Sequence, residues 1–460
     1  MILRRPLTRS IASDVLSSSS CVQDKDISPR TSSTSNKRDF GVILKKGREF
    51  PIATMRHPWI FSGAVDRMEV PSNGCVVPVF DSARKQCIGH GMFNASCKSL
   101  VGRMLSFDGA CQASADDIVF QNIQKACDFR STLKLEDFGT NCYRIVNSEA
   151  DDLSSLVVDR YGDHLVVQSG SLGMDAFIDS GVVQRSLLSH PLLKGSVKQI
   201  YEKSTAGSRD QEGILPRSRW LLRDPSTASG PEDGAAETIV TESGIQMIVP
   251  LTAGQKTGMF LDQRNMRRFV REHARGKRVL NLCAYTGGFT LYALQGGASS
   301  VVSVDASELS LSVLKRNVQL GMQTGALPTD AESRSVAVQD DLWKFLGRET
   351  GRYDVIILDP PKLASKPSDV HRALKAYGEA NRLAMRLAAD SGCLFVSCSC
   401  SYFVSPLDFE RTVVSAALAV RKQARLVQNH RHAEDHATSL FHPEGRYLKS
   451  ISIFLTSSAS

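Results

Sequence analysis

Beyond residue 237 the chain alternates short apolar runs with helix-length stretches, and few folds accept that rhythm. The runs fall at 278–283, 300–305, 335–339, 354–359, 393–398 and 449–455. Between them lie helical patterns such as Glu308 to Leu320 and Val370 to Ala389. Strands alternating with helices in this way predict a parallel sheet covered by helices. In such a sheet, ligands gather at the carboxyl ends of the strands. The residues at those ends carry the functional reading.

The first run leads through Asn281, Leu282 and Cys283 into Ala284-Tyr285-Thr286-Gly287-Gly288-Phe289. This is a strand, a glycine turn and a helix start, where glycine admits a ligand close to the backbone and helix amides stay free to bind it. About twenty residues on, Asp305 ends the second strand, placed to accept both hydroxyls of a ribose. The glycines do not follow GxGxxG, which argues against NAD. A turn without nucleotide, in which Asp305 caps the next helix, is the plainer alternative. Asp340 and Asp341 end the third strand. One would face an adenine amino group and the other would cap the helix near Leu342, and Asp341 stands directly before that helix.

The fourth strand closes on Asp359-Pro360-Pro361-Lys362. Two prolines make a stiff turn, able to hold a flipped base whose N3 and amino edge bond to Asp359. The fifth ends in Ser397-Cys398-Ser399-Cys400-Ser401. A thiol beside such a turn suits methylation of carbon 5 of a pyrimidine. Thiolate addition to carbon 6 turns an unreactive carbon 5 into a nucleophile. The methyl donor would be S-adenosylmethionine (SAM). Cys400 is the leading candidate. Cys398 is its rival, since at strand period two they share a face. Lys362 is a source of field to lower the thiol pKa. The plain readings are a structural Pro-Pro turn and two buried structural cysteines.

Three further segments precede this domain. Residues 41–112 carry β-type runs and turn signals and read as a small β-rich domain. Its basic Lys45, Lys46, Arg48 and Arg56 lie near Trp59 and Phe61, a pattern suited to RNA backbone contact and base stacking, although Trp59 alone reads as core. Residues 113–236 form a central region with a helix from Asp116 to Thr132, a hairpin over 156–168, and a loop-like stretch from Asp224 to Ala236. Residues 1–40 are predicted to be disordered. Their first 36 residues are rich in Arg and Ser, with no apolar core, as in a mitochondrial or plastid transit peptide. A plain disordered tail, and with it a cytoplasmic protein, is the alternative.

The net charge of +8 is compatible with a nucleic-acid partner, and no apolar stretch reaches the roughly 18 residues of a membrane span. The eleven cysteines form no CxxC pair, which argues for free thiols and against a zinc ribbon. His430, His432, His436 and His442 have no accompanying metal motif, so no metal site is expected.

Several segments together resemble the bacterial large-subunit rRNA cytosine-5-methyltransferase family. They are Lys45–Glu49 with Arg56–Ala64, Thr257–Arg264, Tyr285–Phe289, Asp359–Lys362, Ser399–Ser401 and His442–Lys449. The resemblance runs from about residue 41 to the C-terminus. It implies an α/β protein: a PUA domain, a small central α/β domain and a class I Rossmann-like methyltransferase domain over 237–460. It implies SAM as cofactor, and large-subunit rRNA or an assembling ribosomal subunit as partner. It favours Cys400 over Cys398 as nucleophile, and Leu261-Asp262-Gln263-Arg264 as a wall of the cofactor pocket. One departure stands out. The family's Asp-Gly-Leu-Pro-Gly turn is here Asp151-Asp152-Leu153-Ser154-Ser155, so loss of its tight geometry is expected. The N-terminal extension is also absent from the bacterial pattern, which suggests an organelle copy. An RNA N-methyltransferase needs an aromatic where Lys362 stands. A non-catalytic RNA-binding assembly factor would not need Gly287, Asp305 and Cys400, all present. The sequence leaves a homodimer open.

Overall fold

The structure, a computed structural model, describes residues 40–223 and 236–457. The segment read as a transit peptide and the loop-like stretch from Asp224 lie outside the described residues, apart from Phe40 and Ala236.

Six strands build the first sheet: Gly41–Leu44, Trp59–Phe61, Val65–Glu69, Val76–Phe80, Cys87–Phe93 and Leu100–Ser106. Strand alternation turns Val77 and Val79 inward, onto a core with Val42, Leu44 and Ile60. Helix Ala115–Thr132 follows, capped by Ser114 and Asp117, each bonding the other's backbone amide. It packs Ile118, Val119 and Ile123 on a five-stranded sheet. That sheet contains the predicted hairpin, Leu156–Tyr161 with His164–Ser169, and Tyr161 lies opposite His164.

The Asp151–Ser155 turn corrects the expectation of lost geometry. Asp152 (φ 53°) and Ser155 (φ 68°) take left-handed conformations without glycine. The turn is held from within, because the Ser155 amide donates to Ser148 Oγ at 2.7 Å and the Asn147 amide to Asp151 Oδ2 at 2.6 Å. Side-chain bonds thus offset backbone strain of about 1 kcal/mol per residue.

A two-stranded hairpin, Glu237–Glu242 with Ile245–Pro250, leads into the last domain. Its strands, labelled β1 to β7, are Arg278–Leu282, Ser300–Asp305, Ser335–Gln339, Val355–Leu358, Cys393–Ser399, Lys422–His430 and Lys449–Ser457. They lie in the order β3-β2-β1-β4-β5-β7-β6. The first five are parallel, as predicted, but β7 runs antiparallel to both β5 and β6. The edge strand β6 escaped the sequence reading because nearly all of it is exposed, so it shows no apolar period. Pairing with β7 makes it a strand.

Helices cover both faces. On one, Val279, Val301, Ile357 and Val396 meet α1 (Arg264–His273), α2 (Gly288–Gln295) and α3 (Glu308–Gln323). On the other, Leu280, Ile356 and Phe395 meet α4 (Leu342–Arg348), α5 (Val370–Met385) and α6 (Pro406–Ala419). Among the described residues no helix is long and apolar enough to cross a membrane.

Distant motifs meet between these domains. Trp59 Nε1 donates to Glu149 Oε1 at 2.9 Å, its ring packs on His442 at 4.6 Å, and His57 Nε2 lies 3.3 Å from Glu444. Trp59 is therefore a half-buried staple between domains, closer to the core reading than to a base-stacking platform.

Candidate functional site

The carboxyl ends of β1, β2, β4 and β5 open into one cavity of about 400 Å³. Of the predicted residues it is lined by Gln263, Ala284, Tyr285, Thr286, Gly288, Phe289, Asp305, Asp340, Asp341, Asp359 and Cys400.

The turn after β1 is tightly wound, with Cys283, Tyr285 and Gly287 all at positive φ (61°, 50° and 87°). Gly287 is required there: a Cβ would fall 2.5 Å from the Leu314 side chain. It supports the turn without lining the cavity. Asp305 is fixed from below by the amides of Tyr285 (2.8 Å) and Ser307 (2.9 Å). Asp341 caps α4, accepting from the Trp343 amide at 2.9 Å, whereas Asp340 Oδ2 lies 2.8 Å from Arg348. The choice left open by the sequence is thereby narrowed: Asp341 is the cap, though both carboxylates reach the cavity.

The loop between the hairpin and α1 forms the opposite wall. Tyr285 Oη pins it, donating to the Gly258 carbonyl at 2.7 Å and accepting from the Gln255 amide at 2.9 Å. Gln263 Nε2 donates to Asp359 Oδ2 at 2.8 Å. Burial pushes the Asp359 carboxyl up to about 6, and the nearby Asp262 adds to the rise.

Cys400 is half-buried in a turn fixed by the serines on either side. The Ser401 amide donates to Ser399 Oγ, and Ser401 Oγ accepts from the amides of Leu363 (3.0 Å) and Ala364 (3.1 Å). Burial and the Asp359 carboxylate raise the Cys400 thiol, and Lys256 opposes them. Cys398 is enclosed beneath the cavity with its sulfur 3.7 Å from that of Met266, and burial holds its thiol well above the ordinary value. Only Cys400, of the two, reaches the cavity.

Four predicted site residues lie elsewhere or act otherwise. Lys362 is exposed and does not line the cavity, because the rigid prolines carry the chain out to solvent. Arg264 is buried behind the wall, bonded to Glu242 Oε2 at 3.3 Å and Asp435 Oδ1 at 3.0 Å. Asn281 lies under the turn, donating to Thr290 Oγ1 at 3.0 Å. Gly287 is the packing glycine described above. Lys45, Lys46, Arg48 and Arg56 are all exposed on the N-terminal domain, and Arg56 also borders a second cavity of about 370 Å³ with Lys125 and Phe441.

The lysine that lines the cavity is instead Lys256. Its Nζ lies 4.6 Å from the Phe260 ring centroid and 3.9 Å from Asp262. Glycines at 254 and 258 flank it, and that glycine-framed lysine was the signal available in the sequence. Asp262 accepts from Tyr447 Oη at 2.6 Å. Burial would raise its carboxyl, but Lys256, His436 and Tyr447 together hold it below the usual range. The histidines serve structure: His430 bonds Ser452 Oγ at 2.6 Å and His432 accepts from the Leu448 amide at 3.3 Å.

Residues 232–406 match the family described as S-adenosylmethionine-dependent methyltransferase, and residues 42–107 match the PUA-like domain. A ribosomal RNA large subunit methyltransferase I from Escherichia coli (strain K12) is 34% identical over 415 residues, covering 89% of this chain and 97% of the relative. The protein of the same name from Photobacterium profundum is 34% identical over 419 residues, covering 90% and 99%. Two solved structures share the fold over 90% of this chain and 100% of theirs. One is a candidate methyltransferase complexed with SAH (TM-score 0.73, 20% identity), the other a candidate SAM-dependent methyltransferase from Streptococcus mutans (TM-score 0.71, 21% identity).

Proposed function

Since the chain belongs to the ribosomal RNA large subunit methyltransferase I family, we propose that it transfers a methyl group from SAM to carbon 5 of a cytidine in large-subunit rRNA, with Cys400 as covalent nucleophile. The observation that carries this reading is that Cys400 and Asp359, on neighbouring strand ends, share one cavity with the glycine turn and Asp305.

The cavity fits the cofactor by charge. Asp262, Asp305, Asp340, Asp341 and Asp359 line it against Lys256 and Arg267, and Arg267 is committed to Glu242 at 2.7 Å. An excess of carboxylates suits a ligand bearing a sulfonium and an ammonium. Asp305 would accept the ribose hydroxyls, the N-terminus of α2 would present free amides, and Asp340 or Asp341 would meet the adenine. SAM, when bound, supplies the electrophilic methyl group.

Pro360 and Pro361 form a rigid ledge for the base. Asp359, with its raised pKa, donates to N3 when protonated and accepts from the amino group when ionised. Cys400 Sγ adds to carbon 6, and the electron pair of the 5,6 double bond moves to carbon 5. After methylation, loss of the carbon-5 proton to a base and departure of the thiolate restore the ring. The Arg- and Ser-rich first 36 residues support a place in a mitochondrion or plastid.

The test is incubation of the purified protein with large-subunit rRNA and methyl-labelled SAM, followed by nucleoside mapping. Label in 5-methylcytidine is the expected result. Label in a methylated purine would exclude the carbon-5 reading.

A further inference from the structure

The first residue of β7 carries a charge that its surroundings leave unbalanced. Lys449 is 7% exposed, and its Nζ donates to the Ser401 carbonyl at 2.6 Å. No carboxylate pairs with it among the described residues. The buried Arg264 and Arg267, by contrast, both end on carboxylates. A buried ammonium without an anion is costly, and such a group either gives up its proton or finds a counter-ion.

The register supplies the counter-ion. Lys449 lies opposite Ser399 across the antiparallel pair of β5 and β7, beside the turn that carries Cys400. Its bond to the carbonyl of the very next residue, Ser401, holds the ammonium at that turn. We propose that Lys449 is a positioning residue whose ammonium is the counter-ion of the Cys400 thiolate. This rests on the reading of Cys400 as the nucleophile and deepens it. On ionisation the S–H bond breaks, its electron pair stays on Sγ, and the proton passes to solvent. The resulting ammonium–thiolate pair is neutral as a unit.

The other groups facing the thiol do not fill this role. Asp359, at the end of β4, and Asp262, before α1, oppose its ionisation. Tyr377 of α5 and Cys398 of β5 are neutral neighbours. Lys256 favours the thiolate, but its Nζ is shared with Asp262 and the rings of Phe260 and Tyr447. Burial draws Lys449 down to about 8, and the charge on Cys400 works against that fall. The larger pull on the thiol comes from Lys256. The placement of Lys449 at the turn, rather than its titration, carries the proposal.

The experiment is iodoacetamide alkylation of the full-length protein in short pulses from about pH 7 to 11.5, with Cys400 followed by peptide mass spectrometry. Lys449→Met should move the Cys400 midpoint up by about 1–2 pH units, and Lys449→Arg, which keeps the charge, should hold it within about half a unit. Circular dichroism checks folding, and Lys449→Gln serves in the same comparison if the methionine variant fails to fold. An unmoved midpoint in the folded neutral variant overturns the proposal. So does a midpoint moved by Lys256→Met but not by Lys449→Met. Methyl transfer by Cys400→Ala is assayed separately. Transfer retained there sinks the nucleophile reading itself, whatever the midpoints show. Transfer lost there, with an unmoved midpoint in Lys449→Met, sinks the counter-ion alone.

Discussion

Two charged regions lie back to back along the segment that enters α1, and they are built on opposite rules. Behind the wall, Arg264 meets Glu242 and Asp435, and Arg267, which also borders the cavity, ends on Glu242: two cations against two anions, all buried and bonded. In front, five carboxylates line the cavity against Lys256, whose Nζ is shared with Asp262. Adjacent residues divide between the two, with Gln263 facing forward to Asp359 and Arg264 backward to Asp435. Balanced charge makes the rear cluster a fastener. Unbalanced charge makes the front a receptor, whose missing partners arrive with the ligand.

The largest expected effect tests which thiol belongs to the front. Cys400→Ala should cut methyl transfer by about a thousandfold or more, read as label incorporation. Cys398→Ala should keep transfer within about threefold while lowering stability by about 1–2 kcal/mol, the cost of a small buried void. If Cys398→Ala carries the larger loss of transfer, the division between the thiols fails.

Next comes the rear cluster. Arg264→Met leaves Asp435 and Glu242 short of a partner and should cost about 3–5 kcal/mol in urea unfolding, with transfer per folded molecule retained. A large loss of transfer in the folded variant would show that the two regions are not separable.

Asp359 gives a smaller, pH-dependent effect. Its folded-state pKa, about 6, stands above the ordinary value of 3.8, so the folded protein holds the proton more tightly than the unfolded chain. The stabilisation from holding that proton is fully present below about pH 4 and is lost as pH rises through 6. Asp359→Asn should therefore match the wild type in stability near pH 4 and exceed it by about 1–2 kcal/mol near pH 8. A constant difference between the two pH values would remove the buried-carboxylate account. Smallest of all, Asp152→Gly should stabilise the protein by about 1 kcal/mol by relieving a left-handed aspartate, measured by the shift in urea midpoint.

The sequence was most legible where chemistry sits on strand ends. Asp305, Asp359 and Cys400 could be placed because each closes an apolar run, and a parallel sheet brings such ends together. Legibility failed where position depends on direction rather than spacing. Lys362 directly follows the two prolines after Asp359, yet they aim it at solvent. Arg264 adjoins a wall residue but points away from it. Strand β6 has no apolar rhythm, because its exposed edge position demands none. Lys256 carries no periodic signal beyond its flanking glycines, and the Tyr285 anchor is what holds its loop over the site.

The placement of β7 between β5 and β6 bears on how the protein is made. Both neighbours leave the ribosome first, and β6 has no other partner in the sheet. A nascent or prematurely terminated chain that stops short of Lys449 carries two open strand edges and lacks the lysine that bonds the Cys400 turn. Such a fragment is prone to aggregation and exposed to proteolytic clearance.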